Sequence, residues 1–472
     1  MDVRWFIFTI WFFPLIFAIL DTSQDKQTFV VVSRLESEIE NKTTEIIEYI
    51  KNEEERNETG LAWNWLAEIV DDFGHRLLGS ESLEKSIDFV TENLKKDGFD
   101  NVHTEEVPDL PHWERGDDKV TLMEPRVFPL NILAVAGTDP ANVTGEVIVV
   151  KTFEELDSTN AEGKIVLLNP AWKGYFGTVQ FRRGADKVEK AGGIGLLVRS
   201  VGPFSIGSPH TGSGAAKSTI PAVCVTNEEA DLLERLIKRG KTVVVNINLK
   251  SRNLGKTTSR NIIFDITGSE KPNEIVLLSG HIDSWDVGQG AMDDGGGMAA
   301  VWQAMLTIKR LSEKDPSFAP KRTIRGVFWT AEEQGLLGAK YYFETHKKNE
   351  SEKFFFVSET DQGAFRSRSL KSKFNFKGNK NEKNRMQQIA DFLTFNGIPI
   401  TVVDSNLQGD VQFWADSGVA SVNYVSDQGE DYYFYFHHTH GDYMTIFKED
   451  DLQYTAAIFA ALGNVLANIE DW

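Results

Sequence analysis

A single cysteine, Cys224, is present in the sequence, so no disulfide can form within the chain. It lies in an apolar run, residues 220–225, which favours an inert buried thiol over a catalytic one. With 472 residues the chain is long enough to bury large cores without cross-links, and this length predicts two or three domains. Stability is therefore expected to come from core packing, from metal binding or from oligomerisation.

Positive charge is scarce. The chain has 50 Lys and Arg against 70 Asp and Glu, which gives a formal net charge of -20. This balance argues against nucleic acid or an anionic membrane surface as a partner, because both attract basic surfaces. The composition, 41% hydrophobic and 25% charged, is typical of a soluble globular protein.

Long hydrophobic runs are missing after the amino terminus. Arg4 precedes an apolar run over residues 5–20, which is short for a membrane span of about 20 residues and contains Pro14. This pattern predicts a signal peptide over residues 1–21, with an uncleaved anchor as the alternative. We therefore expect a protein of the secretory pathway, secreted or lysosomal, with no membrane partner after signal removal.

Four Asn-x-Ser/Thr sequons agree with this route. Each one predicts a glycosylated asparagine on the surface. The asparagines are Asn41, Asn57, Asn142 and Asn349.

The remaining chain divides by pattern. Residues 22–60 are charged with helical tendency, which indicates either solvated amphipathic helices or a removable propeptide. Residues 61–118 are expected to form the first part of the catalytic domain. Over 119–258, short β-like runs alternate with turns and few acids or histidines cluster, which indicates an insert without catalytic residues. Over 259–472, strand and helix patterns alternate, which predicts a mostly parallel mixed sheet flanked by helices in an α/β fold.

One stretch in the last segment carries most of the chemical signal. An apolar strand predicted over 274–280 leads into His281 and Asp283, and Asp293 and Asp294 follow before three glycines and a helix pattern. An α/β fold presents ligand-binding groups at the carboxyl ends of its strands. Imidazole and carboxylate are the ligands that zinc prefers, so this loop is predicted to begin a metal site.

Three further groups of acids and histidines each follow an apolar run, which we expect to be a strand. Adjacent carboxylates at a strand end point in different directions, so one can bind a metal while the other faces substrate. Each group alone is weak evidence, and their joint order predicts a metal centre. The groups are Glu332 with Glu333 after 326–330, Asp361 after 353–357, and His437, His438 and His440 after the aromatic run 432–436.

The order and spacing of these residues resemble the co-catalytic zinc aminopeptidase superfamily. The motifs that carry the resemblance are SGHIDSWDVGQGAMDDGGG, WTAEEQGLLGA, ETDQG and FHHTHGDYMT. The insert, with its Lys-Ile-Val-Leu and Lys-Ala-Gly-Gly-Ile-Gly-Leu-Leu runs, resembles the protease-associated domain. The resemblance covers almost the whole chain and is most specific in the carboxyl-terminal half.

The resemblance implies a role for each residue and two zinc ions per chain. His440 is expected either to contact substrate or to pack, and Asp410 either to face the site or to cap a helix. The implied roles are His281 and Asp361 for one zinc, Glu333 and His438 for the other, Asp293 as the bridge, Glu332 as general base, Asp283 as the residue that orients His281, and Asp294 as a backbone contact in the turn.

The resemblance also implies the activity, which is hydrolysis of dipeptides or short peptides with free termini by a homodimer. One alternative is a glutaminyl cyclase-like transferase, which uses one zinc and would be expected to lose part of the ligand set. Another is a catalytically silent receptor-like homologue, which would be expected to lose ligands or the base. Nucleotide binding is excluded because a dinucleotide fingerprint needs glycine where the chain has Asp293.

Overall fold

The computed structural model describes residues 35–347, 351–367, 372–429 and 431–472. The predicted signal peptide and the sequon at Asn349 lie outside these residues. The other sequon asparagines, Asn41, Asn57 and Asn142, are exposed, as expected of glycosylation sites. In the described ranges no helix has both the length and the apolar character needed to cross a membrane.

Helices and strands alternate along most of the described chain. The helices are α1 Ser37–Lys51, α2 Leu61–Phe73, α3 Glu81–Lys96, α4 Phe153–Ser158, α5 Tyr175–Thr178, α6 Ala185–Lys190, α7 Asn227–Lys238, α8 Gly296–Lys314, α9 Leu337–His346, α10 Lys380–Phe395, α11 Gln412–Ser417 and α12 Glu449–Asn468. The strands are β1 Asp100–Glu114, β2 Lys119–Glu124, β3 Phe128–Leu130, β4 Ile132–Ala134, β5 Ala141–Val150, β6 Ile165–Leu168, β7 Gly195–Arg199, β8 Ala222–Val225, β9 Val244–Leu249, β10 Arg252–Ile266, β11 Lys271–His281, β12 Arg322–Trp329, β13 Lys353–Glu359, β14 Lys373–Lys377, β15 Thr401–Asp404 and β16 Ser421–Val425.

The first sheet is mixed, as predicted. Within the described residues it has eight strands in the order β1-β10-β12-β11-β13-β16-β14-β15. The central strands β12, β11, β13 and β16 run parallel, and β10 pairs antiparallel with both β1 and β12. Strand β14 pairs antiparallel with β16 and parallel with β15. Every residue of β12 is buried, because helices cover both faces of the sheet. The parallel centre places the carboxyl ends of β11, β12 and β13 at one edge.

The second sheet contains the strands of the insert. Its eight strands among the described residues run β3-β2-β9-β5-β6-β7-β8-β4, and β5 to β8 are parallel. Its first strand in sequence begins at Lys119, and its last strand in sequence ends at Leu249. Strand β10 starts inside the predicted insert, yet it belongs to the first sheet. Cys224 is fully buried in β8, as expected, and burial raises the pKa of its thiol to about 12.

The amino-terminal helix α1 is part of the main core. Its buried isoleucines, Ile39, Ile46, Ile47 and Ile50, belong to the same apolar cluster as α8 and α12. The Nδ2 atom of Asn464 on α12 donates to the hydroxyl of Thr43 at 2.7 Å. Residues 35–51 therefore pack as one layer of the domain, and a removable propeptide stays a prediction.

Two local predictions in the carboxyl-terminal half were wrong. The aromatic run 432–436 does not form a strand; residues Tyr433–Tyr435 form a short 3₁₀ helix. A continuous aromatic run has no period of two or of 3.6, so the pattern alone cannot distinguish these structures. The sequence analysis also predicted no strand over residues 373–377, where the structure forms β14.

A buried charge network joins α9 to the first sheet. Arg325 on β12 binds Asp265 at 2.8 and 3.0 Å and Glu352 at 2.8 Å. Atom Nδ1 of His346 lies 2.8 Å from Glu352, and Nε2 lies 3.0 Å from Glu105 on β1. Burial alone would lower the pKa of His346, but these carboxylate contacts outweigh it and raise the pKa to about 9.

This network predicts that the protein loses stability above neutral pH. The contribution of His346 is complete below its unfolded pKa of about 6.5 and is lost as pH rises through about 9. We expect His346→Gln to lower the free energy of unfolding by about 2 kcal/mol more at pH 6.5 than at pH 9.5. Thermal unfolding at both pH values measures this, with His112→Gln, on β1 outside the network, as the control. An equal effect of His346→Gln at both pH values would contradict the assignment.

Candidate metal centre

Five of the predicted ligand residues meet at the carboxyl edge of the first sheet. His281 ends β11, Glu333 follows β12 and Asp361 follows β13. Asp293 comes from the loop before α8, and His438 from the loop after the 3₁₀ helix. The prediction that a strand precedes each later group is therefore wrong for His438, whereas Asp293 lies in the predicted loop, and the structure brings all five together.

The five side chains form two groups that share Asp293. In the first group, Nε2 of His281 lies 3.2 Å from Asp293 Oδ1 and 3.5 Å from Asp361 Oδ1. In the second, Nε2 of His438 lies 2.9 Å from Glu333 Oε2 and 3.3 Å from Asp293 Oδ2. Within each group the candidate ligand atoms lie within 4.8 Å of one another. Asp293 thus presents one oxygen to each group, which is the geometry of a bridging carboxylate.

The chemistry of the groups fits a divalent cation. Three buried oxygens, Asp293 Oδ2, Glu333 Oε1 and Asp361 Oδ1, have no hydrogen-bond partner among the residues that the structure describes. A buried oxygen without a partner is costly, and one cation in each group would satisfy all three oxygens. Burial raises the pKa of the Glu333 carboxyl to about 7, with Asp293 acting in the same sense and His438 opposing. Imidazole and carboxylate ligands in this number suit zinc.

A third cluster near the site is less suited to a metal. His210, His437 and His438 also place candidate ligand atoms within 4.8 Å of one another. However, the guanidinium of Arg182 lies 3.4 Å from His210 Nε2. A fixed positive charge at this position opposes a cation.

Backbone carbonyls orient the two histidines. Nδ1 of His281 lies 2.9 Å from the carbonyl of Asp283, and Nδ1 of His438 lies 3.1 Å from the carbonyl of Thr211. When Nδ1 donates to these carbonyls, the Nε2 lone pair faces the carboxylates. Thr211 belongs to the insert, so the insert helps to position His438, a candidate metal ligand at the edge of the first sheet.

The carboxylate of Asp283 has a different partner from the one predicted. Its Oδ1 and Oδ2 accept hydrogen bonds from the backbone N–H groups of Glu332 and Glu333 at 3.0 and 3.3 Å. Its Oδ1 is 3.7 Å from His281 Nδ1, so the backbone carbonyl, and not the carboxylate, holds the imidazole. Asp283 therefore couples the His281 loop to the turn at Ala331, whose φ is 56°.

Asp294 has the backbone role that was expected. Its carboxylate accepts from the N–H groups of His281 at 3.1 Å and Gly297 at 3.0 Å. A Cβ at position 297 would lie 2.3 Å from Asp294 Oδ1, so glycine is required for this approach.

Sequence reasoning missed two residues that hold ligands in place. The carboxylate of Asp442 accepts from the N–H groups of Met292 at 2.7 Å and Asp293 at 3.2 Å. Trp285 Nε1 donates to Glu333 Oε2 at 2.6 Å. Asp442 lies four residues after His438, a spacing that could have signalled its role, whereas Trp285 carries no such signal.

A cavity of about 800 Å³ opens over the centre. Glu332 lines it beside Asp293, Glu333 and Asp361. Burial and the charges of Asp361 and Glu333 raise the pKa of Glu332 well above its usual range. Cations bound to the neighbouring carboxylates would act in the opposite sense and favour an ionised Glu332.

Neither of the two candidate substrate-facing residues, His440 and Asp410, is among the described residues that line the cavity. His440 is exposed. Asp410 is buried beside Glu359, which accepts from its N–H at 3.3 Å. Its side chain does not cap α11, which begins at Gln412 with no side-chain cap.

Comparison with known proteins agrees with this geometry. A model of peptidase family M28 matches residues 261–463, and a model of the PA domain matches residues 136–233. Carboxypeptidase Q of Mus musculus is 41% identical over 415 residues, which cover 85% of this chain and 85% of that protein. Carboxypeptidase Q of Homo sapiens is 41% identical over 418 residues, which cover 86% and 85%.

Solved structures show the same fold. The crystal structure of a peptidase M28 precursor from Shewanella amazonensis has a TM-score of 0.82 at 29% identity, and the match covers 91% of this chain and 98% of that chain. The zinc aminopeptidase BSAP from Bacillus subtilis has a TM-score of 0.64 at 21% identity, covering 85% and 93%.

The chain belongs to peptidase family M28. Within that family it is similar to carboxypeptidase Q over most of its length. This membership supports a zinc metallo-exopeptidase as the class of enzyme.

The shared position of Asp293 predicts unequal effects of ligand loss. Asp293→Ala removes an oxygen from both groups, so we expect it to lose nearly all bound zinc. Asp361→Ala disrupts only the first group, so we expect about one zinc per chain to remain. Metal analysis of the purified proteins measures both. Wild-type zinc content in Asp293→Ala would exclude the bridging role.

Proposed function

We propose that this protein is a di-zinc peptidase that hydrolyses dipeptides or short peptides with free termini. The observation that carries the proposal is the carboxylate of Asp293, which faces one ligand group with each oxygen. The relatives named carboxypeptidase Q and the structural neighbour named a zinc aminopeptidase support both the metal and the reaction.

The ligand assignment follows the two groups. His281 and Asp361 would hold one zinc, Glu333 and His438 the other, and Asp293 would contact both. Zinc bound there would supply Lewis-acid activation of water and of the peptide carbonyl. Hydrogen bonds from Trp285 and to Thr211 hold Glu333 and His438 in place.

Glu332 is the proposed general base and acid. Its side chain lines the cavity and makes no hydrogen bond to the described residues, while its backbone N–H is held by Asp283. The carboxylate is therefore free to take a proton from the attacking water and to pass it to the leaving amine. Its neighbour Glu333 faces the ligand group instead, so Glu333 would bind metal while Glu332 transfers the proton.

The alternative functions fit the site less well. A cyclase-like transferase with one zinc would not need both ligand groups, and the described residues supply both. A receptor-like homologue would not need Glu332 in the cavity. We also infer entry into the secretory pathway from the amino-terminal pattern, and assembly as a homodimer, for which sedimentation at micromolar concentration is the test.

The role of Glu332 predicts a separation of activity from metal content. Glu332→Gln keeps the shape of the side chain but cannot take the proton, so we expect the turnover number to fall by about 10²–10⁴-fold. We expect zinc content and thermal stability to stay at wild-type values. Dipeptide hydrolysis and metal analysis measure this, with Glu344→Gln, exposed on α9, as the matched control. Near-normal turnover in Glu332→Gln would refute the assignment.

A further inference from the structure

The two walls of the cavity differ in charge. The insert contributes Arg182, Arg183 and Lys217, together with Asp186, which already pairs with Lys190 at 3.1 Å. The opposite wall carries uncharged amides. These are Gln334, Gln362, Gln408, Gln412 and Asn423.

Arg182 is the buried member of this cationic wall, with 2% of its surface exposed. Its Nε donates to the carbonyl of Ser213 at 3.2 Å and its Nη1 to the carbonyl of Thr211 at 2.9 Å, while Nη2 lies 3.5 Å from the hydroxyl of Tyr175. A Cβ at Gly212 would lie 2.2 Å from the guanidinium carbon, so glycine leaves room for the side chain. These contacts hold the guanidinium in one fixed position.

No carboxylate of the described residues lies within 4.0 Å of the Arg182 guanidinium, whose partners are neutral oxygens and His210. Removing a charge from water without a counter-ion is costly. Arg183 and Lys217 are exposed and form no ion pair within the described ranges. In a chain of net charge -20, this grouping of unpaired cations leaves a place for an anion.

We propose that Arg182, with Arg183 and Lys217 at the mouth of the cavity, binds the free carboxylate at the carboxyl terminus of the peptide substrate. The inference rests on the proposed peptidase function and adds the residues that recognise one end of the substrate. Nε and Nη1 of Arg182 are engaged by two backbone carbonyls, whereas Nη2 has only the long 3.5 Å contact with Tyr175 among the described residues, so Nη2 is the atom that can donate a charge-assisted hydrogen bond to a carboxylate. The scissile carbonyl then lies over the ligand groups, with the carboxyl-terminal side toward the insert.

The test compares a dipeptide with its carboxyl-terminal amide, which has the same scissile bond without the charge. We expect the wild-type protein to prefer the acid. The double variant Arg183→Gln, Lys217→Gln should raise KM for the acid about tenfold and change KM for the amide little, because a charge-assisted hydrogen bond is lost. Arg239→Gln, Lys241→Gln makes the same charge change on the insert outside the cavity and should leave both values unchanged.

Arg182→Gln is expected to remove the acid preference altogether, provided that its melting temperature stays near that of the wild type. If it does not fold, the double variant at the mouth decides the question. An equal kcat/KM for acid and amide in the wild type, or an unchanged ratio in the double variant, would overturn the proposal while leaving the peptidase function intact.

A binding measurement separates this inference from the proposed function. Calorimetric titration of zinc-loaded Glu332→Gln with the dipeptide and with its amide requires no turnover. We expect weaker binding of the amide, and expect the double variant to abolish the difference. If the wild type hydrolyses neither compound, the peptidase proposal fails, and equal affinities in this titration would then also reject the carboxylate site.

Discussion

The buried carboxylate of Asp293 is the constraint on which the rest of the site depends, because both ligand groups contain it. The backbone around it is held by the carboxylate of Asp442, which accepts hydrogen bonds from the N–H groups of Met292 and Asp293. The carboxylate of Asp294 holds the following glycine turn by accepting from the N–H of Gly297. Several other acids crowd the same space, and burial raises the pKa of Glu359 to about 8 and of Asp442 to about 7. Such a cluster needs positive charge, so binding of two divalent cations would stabilise the fold as well as provide the chemistry.

The insert is coupled to the centre by direct hydrogen bonds. The carbonyl of Thr211 orients His438, and the Ser213 hydroxyl donates to the Glu333 carbonyl at 3.0 Å. Arg115, which precedes the insert, binds the carboxylate of Asp286 in the metal loop at 2.7 and 2.8 Å. The second sheet therefore contributes both to ligand geometry and to the wall of the cavity, which explains why its basic residues can face a substrate bound at the first sheet.

Much of this organisation was predictable from sequence, and the reason is local. Strands β11, β12 and β13 are continuous apolar runs, and acids or a histidine follow each run directly. The same stretch of sequence therefore predicts both where the strand ends and which residues are candidate ligands. The family resemblance implied His438 as a ligand although the preceding segment was wrongly predicted to be a strand. The mixed α/β class and the family resemblance were confirmed by the comparisons.

The missed features depend on contacts between distant parts of the chain. Thr211 meets His438, and Trp285 meets Glu333, across loops whose proximity no periodicity reveals. The cis peptide between Asp293 and Asp294 likewise has no signal in residue type. The buried setting of Arg182 was not visible either, since an arginine pair before a glycine resembles any solvated turn.

The most direct test of the central claim is a zinc titration of metal-free protein, with dipeptide hydrolysis and bound zinc measured at each step. Two ligand groups joined by Asp293 predict that activity reaches its maximum as bound zinc approaches two ions per chain. Full activity at one bound zinc, or no peptide hydrolysis at two, would contradict the account.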